Sequence, residues 1–467
     1  MNRTAPAKEM RTPWLLRSLI ALVALAPLPL GGNRSLPAAL LALGAALLLS
    51  LWAISVLRGA ALAISPARLR WPLICFALTC VWILVQWLPL GFGDPLWQIA
   101  ADETGKALPA RLSVNPDETL SALMRLLTYG AVFWLSLQSA RHPHHAEVGL
   151  KAVAAIGAAY AVYGLAIFLS GNNWLLIYPK WAYPASLTST FVNRNSYASF
   201  AGLCLLAAAA LLLARIRHTL SLNWPLRRRV ARLVEQLILQ SGWLTAAFLV
   251  SLTALMLTGS RAGIASSAAG LICLALFFLR GRAIGARSLA ALLVAVALIG
   301  GLAYALGAQT LKQRYDAPDL VEASGHMRLE GLSFALSAIA SAPLTGTGYG
   351  TFTDVITAYR TISIPSLIQW DKAHNTYLEN AVELGIPAAA TLNLAILLLA
   401  LRCLSGVFTR QRGWLLPATG IAATLLVALH ALVDFSLQIP AVAILYAFLM
   451  GLAVAQSWRQ EQSAEQS

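Results

Sequence analysis

Apolar blocks of about 20 residues recur from Leu19 almost to the last residue, separated by short segments that carry most of the charge. A helix of that length spans roughly 30 Å of hydrocarbon. The pattern leaves few folds open, because every backbone polar group inside a bilayer has to be satisfied internally. Hydrophobic side chains make up 58% of the 467 residues and charged ones 11%, whereas soluble domains carry about 25% charged residues. The expectation is an all-α polytopic membrane protein, with 1–467 forming a single membrane domain. Transmembrane helices are predicted at roughly 14–31, 37–57, 71–90, 119–139, 148–170, 196–214, 240–258, 263–280, 288–307, 376–402, 414–433 and 437–457. Twelve spans put both termini on one side.

The first block follows Arg11 and Arg17 without a clear small-x-small cleavage site, so it reads as a retained helix rather than a signal peptide. The net charge of +15 invites a nucleic-acid reading, but the distribution of the charge argues for topology. With the N-terminus inside, the inner segments hold 22 of the 34 basic residues and five acids, a net +17 against −2 elsewhere. Lys and Arg gather in cytoplasmic loops, so both ends are expected in the cytoplasm and no nucleic acid is needed. The most basic stretch, 215–233, reads as a topology determinant touching anionic lipid. The cysteines Cys75, Cys80, Cys204, Cys273 and Cys403 all lie in or beside apolar blocks on the inner side, and no disulfide or zinc site is expected.

Outer segments 91–118, 171–195 and 308–375 exceed tight turns, and long loops in compact proteins often carry function. The aromatic 171–195 loop reads first as an interfacial belt, and second as a sugar-stacking surface. An amphipathic helix is predicted near 328–339, followed by a Gly-rich turn.

The outer helix ends collect polar residues. Asn193, Arg194 and Asn195 stand before a helix in FVNRNSYASF. Arg261 occupies a very short outer loop in LTGSRAGIASS. His326, Arg328 and Glu330 fall in GHMRLEGLSFAL. GTGYGTF follows, and WDKAHNTYLENAVELGIP brings Lys372, His374 and Asn375 to a helix carrying Glu379 and Glu383. Arginine offers a planar fork of donors matched to phosphate oxygens, and helix N-termini add positive potential. Two or three such arginines would hold a diphosphate and stabilise charge on a departing one. A nearby histidine would accept the proton of an attacking hydroxyl. Simpler readings stand beside each. Arg261 would snorkel to headgroups, although its place in an outer loop runs against the charge bias. Arg328 would pair with Glu330 or Glu322, Arg194 would touch lipid, and His374 would be a structural hydrogen-bonding residue. GTGYG reads as a flexible turn. Glu379 and Glu383, one helical turn apart, are candidate cavity acids. Asp434 either joins them or caps a turn. No Asp-x-Asp pair occurs, which argues for a reaction without a metal, and no cofactor is expected.

Taken in order, LTGSRAG, GHMRLEG with PLTGTGYGTF, and AHNTYLENAVELGIP resemble the O-antigen ligase/polymerase superfamily, over an O-antigen ligase-related core of 191–387. The resemblance implies a C-type glycosyltransferase-like membrane fold of about twelve helices, with 308–375 as one large periplasmic loop. It implies transfer of a glycan from an undecaprenyl-diphosphate carrier in the bacterial inner membrane. The acceptor is another glycan or lipid A-core, and the reaction is inverting and metal-independent. By resemblance, Arg261 and Arg328 fall on the arginines that engage diphosphate and His374 on the histidine that activates the acceptor. Arg194 is a further match, and Lys372, Asn375 and Asn193 are candidate substrate-binding residues. The APLPLGGNRSLPA segment is similar to members from exopolysaccharide clusters, which leans toward a polymerase; ligase and polymerase both stay open. Two other classes compete: a lipid-glycan flippase, which needs charges along a path open to both faces, and a non-catalytic assembly scaffold, which needs no convergent Arg/His cluster.

Overall fold

A computed structural model describes residues 13–221, 224–280, 331–356 and 372–459. The predicted helix at 288–307, Arg328, and most of 308–375 lie outside the described residues.

The regular structure of the described chain is almost all helical. Helices α1 (Pro13–Leu25), α2 (Ser35–Leu57), α3 (Arg70–Trp87), α4 (Leu96–Thr104), α5 (Pro116–Ser139) and α6 (Pro143–Leu169) come first. A two-stranded antiparallel ribbon follows, β1 (Trp174–Leu175) with β2 (Tyr178–Pro179). Then come α7 (Arg194–Ser221), α8 (Leu226–Glu235), α9 (Gly242–Leu257) and α10 (Arg261–Arg280). After α11 (Gly331–Ser341) the chain forms α12 (Phe352–Ile356), α13 (Thr376–Leu384), α14 (Ile386–Thr409), α15 (Leu415–Ala431) and α16 (Pro440–Ala455). Seven of the described helices are long and apolar enough to cross a membrane, or eight if the bent α8–α9 pair is one span. Four further apolar helices, among them α1, α15 and α16, are shorter. Twelve spans are therefore not reached among the described residues.

Burial sorts the helices into two layers. α7 and α16 are apolar on every face and buried along most or all of their length, as the centre of a bundle requires. α2 and α3 instead turn Leu36, Leu40, Leu43, Leu47, Trp71, Ile74 and Leu78 outward, the placement expected of a lipid-facing surface. Small residues set the close approaches, as in many membrane bundles. A Cβ on Gly157 of α6 would lie 2.2 Å from Cys204 Cβ of α7, and one on Gly420 of α15 would lie 2.5 Å from Ala453 Cβ of α16.

Two ends of the bundle differ in chemistry. At one, Arg141 donates to the carbonyls of Ala455, Trp458 and Arg459, and Arg402 and Arg410 to those of Ser457 and Gln456. These guanidiniums meet carbonyls left over at the C-terminal end of α16, where cations are favoured. Arg68 lies over the Trp458 ring and Arg217 over Trp414. All belong to the segments assigned to the inner side from charge. The opposite end gathers the starts of α7, α10, α13 and α16 and the ends of α9 and α15.

Two sequence expectations need correction. The helix predicted over 376–402 is two helices. Gly385 ends α13 at φ 76° and ψ 158°, a region open essentially to glycine alone, and Pro387 enters the first turn of α14, where its missing N–H costs nothing. The basic stretch 215–233 is not a loop: α7 extends to Ser221, and α8 turns at 88° to α9.

Candidate functional site

α7 and α10 begin side by side. A Cβ on Gly263 would lie 2.5 Å from Ala198 Cβ, and one on Gly202 would lie 2.2 Å from Ser267 Oγ. Their first residues, Arg194 and Arg261, therefore open neighbouring helices at the same end of the bundle. Asn193 orders the first of these starts: its Oδ1 accepts the N–H of Asn195 at 2.7 Å. The Arg194 guanidinium sits 5.2 Å from the Tyr183 ring centre, while its Nε is buried without a hydrogen-bond partner among the described residues. Arg261 is exposed. Ser260 Oγ accepts the N–H of Gly263 at 3.2 Å and so caps α10.

The turn between α15 and α16 lies against these starts and holds Asp434, which is 0% exposed. Asn195 Nδ2 donates to its Oδ1 at 3.1 Å, and Ser436 Oγ donates to its Oδ2 at 2.5 Å. His374 Nδ1 stands 3.7 Å from Oδ1, at ion-pair range. Burial disfavours the Asp434 charge, but His374, His430 and the Ser436 hydroxyl outweigh it and hold the carboxyl below its ordinary range. Beneath it the buried His430 pairs through Nδ1 with Ser199 Oγ of α7.

His374 is fixed from three sides. Its backbone adopts φ 51°, a left-handed conformation in which His is enriched relative to most residues. Its ring meets Phe435 edge-on at 5.1 Å. Asn375 caps α13, accepting the N–H groups of Tyr377 and Leu378 at 3.0 and 3.1 Å. Thr376 Oγ1 then donates to the Asp434 carbonyl at 3.0 Å, tying the start of α13 to the turn.

Lys372 pairs with the buried Glu379 at 3.1 Å, and Glu379 also accepts the Ala373 N–H at 2.8 Å. Glu383 accepts the Phe352 N–H at 3.1 Å. Burial and the neighbouring Glu379 push the Glu383 carboxyl up to about 7. Both acids hold loop segments rather than line the cleft described below.

GTGYG proves to be a tightly packed bend, not a loose turn. The N–H groups of Thr347 and Gly348 donate to Val382 and Glu383 carbonyls at 3.0 Å. A Cβ on Gly346 would lie 2.3 Å from the Glu383 carbonyl oxygen. Gln86 of α3, a lone polar residue in VWILVQWLPL that the sequence reading passed over, organises this region. It is fully buried, donates to the Thr345 and Glu383 carbonyls at 2.7 and 2.8 Å, and accepts the Tyr349 N–H at 3.2 Å.

A cleft of about 300 Å³ runs down from this end between α3, α5, α14, α15 and α16. Thr376, Asn380 and Gln438 line its upper part, and Phe76, Ile396 and Met450 are among the apolar residues below.

The structure thus gathers Asn193, Arg194, Arg261, Lys372, His374 and Asn375 at one end. Asp434, weighed in the sequence as a cavity acid or a turn cap, lies at the centre of their hydrogen bonding. Its partner His430 went unnoticed, although His430 and Asp434 are four residues apart at a helix end. No cluster of metal-ligating side chains occurs among the described residues. No curated protein matches the chain. A family model described as O-antigen ligase matches residues 246–392, from within α9 to within α14. The matched stretch, which carries Arg261, His374 and Asn375, is similar to that family.

Proposed function

We propose that the protein is a glycosyltransferase of the bacterial inner membrane, oriented with both ends in the cytoplasm. It moves a glycan from undecaprenyl diphosphate to a sugar hydroxyl on the periplasmic face, as an O-antigen ligase or as a polymerase of O-antigen or exopolysaccharide. One observation carries the reading: two helices begin with Arg194 and Arg261 beside the His374–Asp434 pair, at the head of an apolar cleft. Arginines at helix starts suit a diphosphate. A histidine whose Nδ1 faces a buried carboxylate is oriented to take the proton of an acceptor hydroxyl at Nε2, and the carboxylate stabilises the imidazolium that results. The cleft suits the hydrocarbon chain of the carrier.

In the proposed step the acceptor oxygen bonds to the anomeric carbon as the bond from that carbon to the phosphate oxygen breaks. His374 takes the hydroxyl proton. The carrier leaves as a diphosphate, its charge met by Arg194 and Arg261, with Arg328 as a third candidate. A single displacement of this kind inverts the anomeric centre, and arginines rather than a metal ion carry the charge. Lys372, Asn193 and Asn375 fix the ends of the loops that bear these groups, beyond any direct contact with substrate.

In an assay with purified lipid-linked glycan, His374→Ala and Arg261→Ala should each abolish transfer while membrane expression is unchanged. Full activity of both would refute the assignment. A deletion strain separates the two activities: single repeat units at the surface indicate a lost polymerase, and long polymer retained on the carrier a lost ligase.

A further inference from the structure

The site leaves one chemically distinct element unused at the opposite end of the bundle. α8 and the π-helical turn Gln236–Gln240 lie at 88° to α9. Since α9 packs in the bundle, the segment before it lies across the bundle axis. Its sides differ sharply. Leu233 and Leu237 pack on the core, and Thr219 Oγ1 of α7 donates to Gln236 Oε1 at 2.7 Å. Beside that seam Val230 and Val234 are each 49% exposed, followed by Ile238 at 63% and Leu239 at 77%. Arg228 and Arg232 lie on the opposite side, with Glu235 paired to Arg232, and Arg227 and Arg229 flank the apolar edge. Trp224 lies under the Arg228 guanidinium at 4.5 Å, and Trp243, half exposed, marks the start of α9.

We infer that α8 is an in-plane membrane helix that binds anionic phospholipid headgroups at the basic end of the protein. An apolar edge beside a cationic face, at right angles to a bundle helix, fits the boundary between acyl chains and headgroups. Tryptophans at both ends occupy the depth such rings prefer. The four arginines against one acid supply charge complementarity to an anionic surface. The exposed Val230, Val234, Ile238 and Leu239 favour a bilayer over a solvated polyanion such as RNA, which would leave that edge in water.

The test is amide hydrogen exchange over residues 226–240 of the full chain, in nanodiscs of phosphatidylcholine alone or with about one third phosphatidylglycerol. The anionic lipid should slow exchange there by about tenfold, with the effect shrinking in high salt. Replacing Arg227, Arg228, Arg229 and Arg232 with glutamine should remove the difference, whereas the four lysine replacements should retain it. Equal exchange in both lipids, a lipid difference that survives in the glutamine variant, or protection by added RNA in phosphatidylcholine alone would each overturn the inference. Because the readout does not depend on glycan transfer, its failure and that of the proposed function are distinguishable.

Discussion

Asp434 is fully buried, and the groups that meet its carboxyl come from its own turn and from two distant parts of the chain, Asn195 and His374. Replacing it with alanine strands the Asn195 amide and the Ser436 hydroxyl, so the variant should lose about 1–3 kcal/mol of stability. Asp434→Asn keeps the shape and removes the charge. If Asp434 orients His374, that variant should fold normally and fall by about 100-fold in kcat, with KM little changed. Glu383 gives a separate prediction. Its folded value, about 7, lies above the ordinary 4.5, so the folded state binds the proton more tightly between those limits. Stability should therefore decline as pH rises from about 4.5 to 7, and Glu383→Gln should remove that part of the slope in thermal unfolding. At this scale the sequence was readable where polar residues break an apolar pattern, as at Arg194, Arg261 and His374. It was mute on partners: nothing local to HALVDFS says that Asn195, 239 residues earlier, completes the carboxylate's hydrogen bonds.

Helices were legible in proportion to their isolation. α2, α3, α5 and α6 lie within a few residues of their expected limits because polar segments bracket each apolar run. The α13–α14 break escaped notice because no polar loop separates AVEL from IPAAA around Gly385. Glycine followed two residues later by proline is nevertheless the signal for one helix ending and another beginning. A side chain at Gly385 would have to adopt a glycine-only conformation, with its Cβ 2.4 Å from the Leu344 carbonyl oxygen. Gly385→Ala should cost about 3 kcal/mol or more and displace both the GTGYG bend and α13. Loss of transfer with a lowered Tm would show it, and an unchanged Tm would contradict the packing described. α8 was missed for the opposite reason. Its charges masked a helical period that becomes plain once Leu233, Leu237, Val230 and Val234 are seen to share one side.

For the whole molecule, the charge bias anticipated the separation of ends. Arg68, Arg141, Arg402 and Arg410, all assigned to inner segments, meet around the end of α16, and the polar motifs meet at the other end. The side of the membrane each end occupies can be measured directly. In a background lacking the native cysteines, Asn172→Cys, exposed at the motif end, should react with a membrane-impermeant maleimide from the periplasm. Arg412→Cys, exposed at the basic end, should react only after lysis. The reverse pattern would invert the proposed orientation.

The placement of α16 bears on how the protein is made. It is buried on every side, against α5, α15, α7 and α6 among others, yet it follows all of them in the chain. Synthesis proceeds from the N-terminus, so the surrounding helices enter the membrane before the helix that fills the space between them exists. Until then, Gly149 and Gly420, which pack on α16, face a gap that only lipid or loose packing can occupy. Assembly of the bundle is therefore a late event that closes around a helix made after those that enclose it.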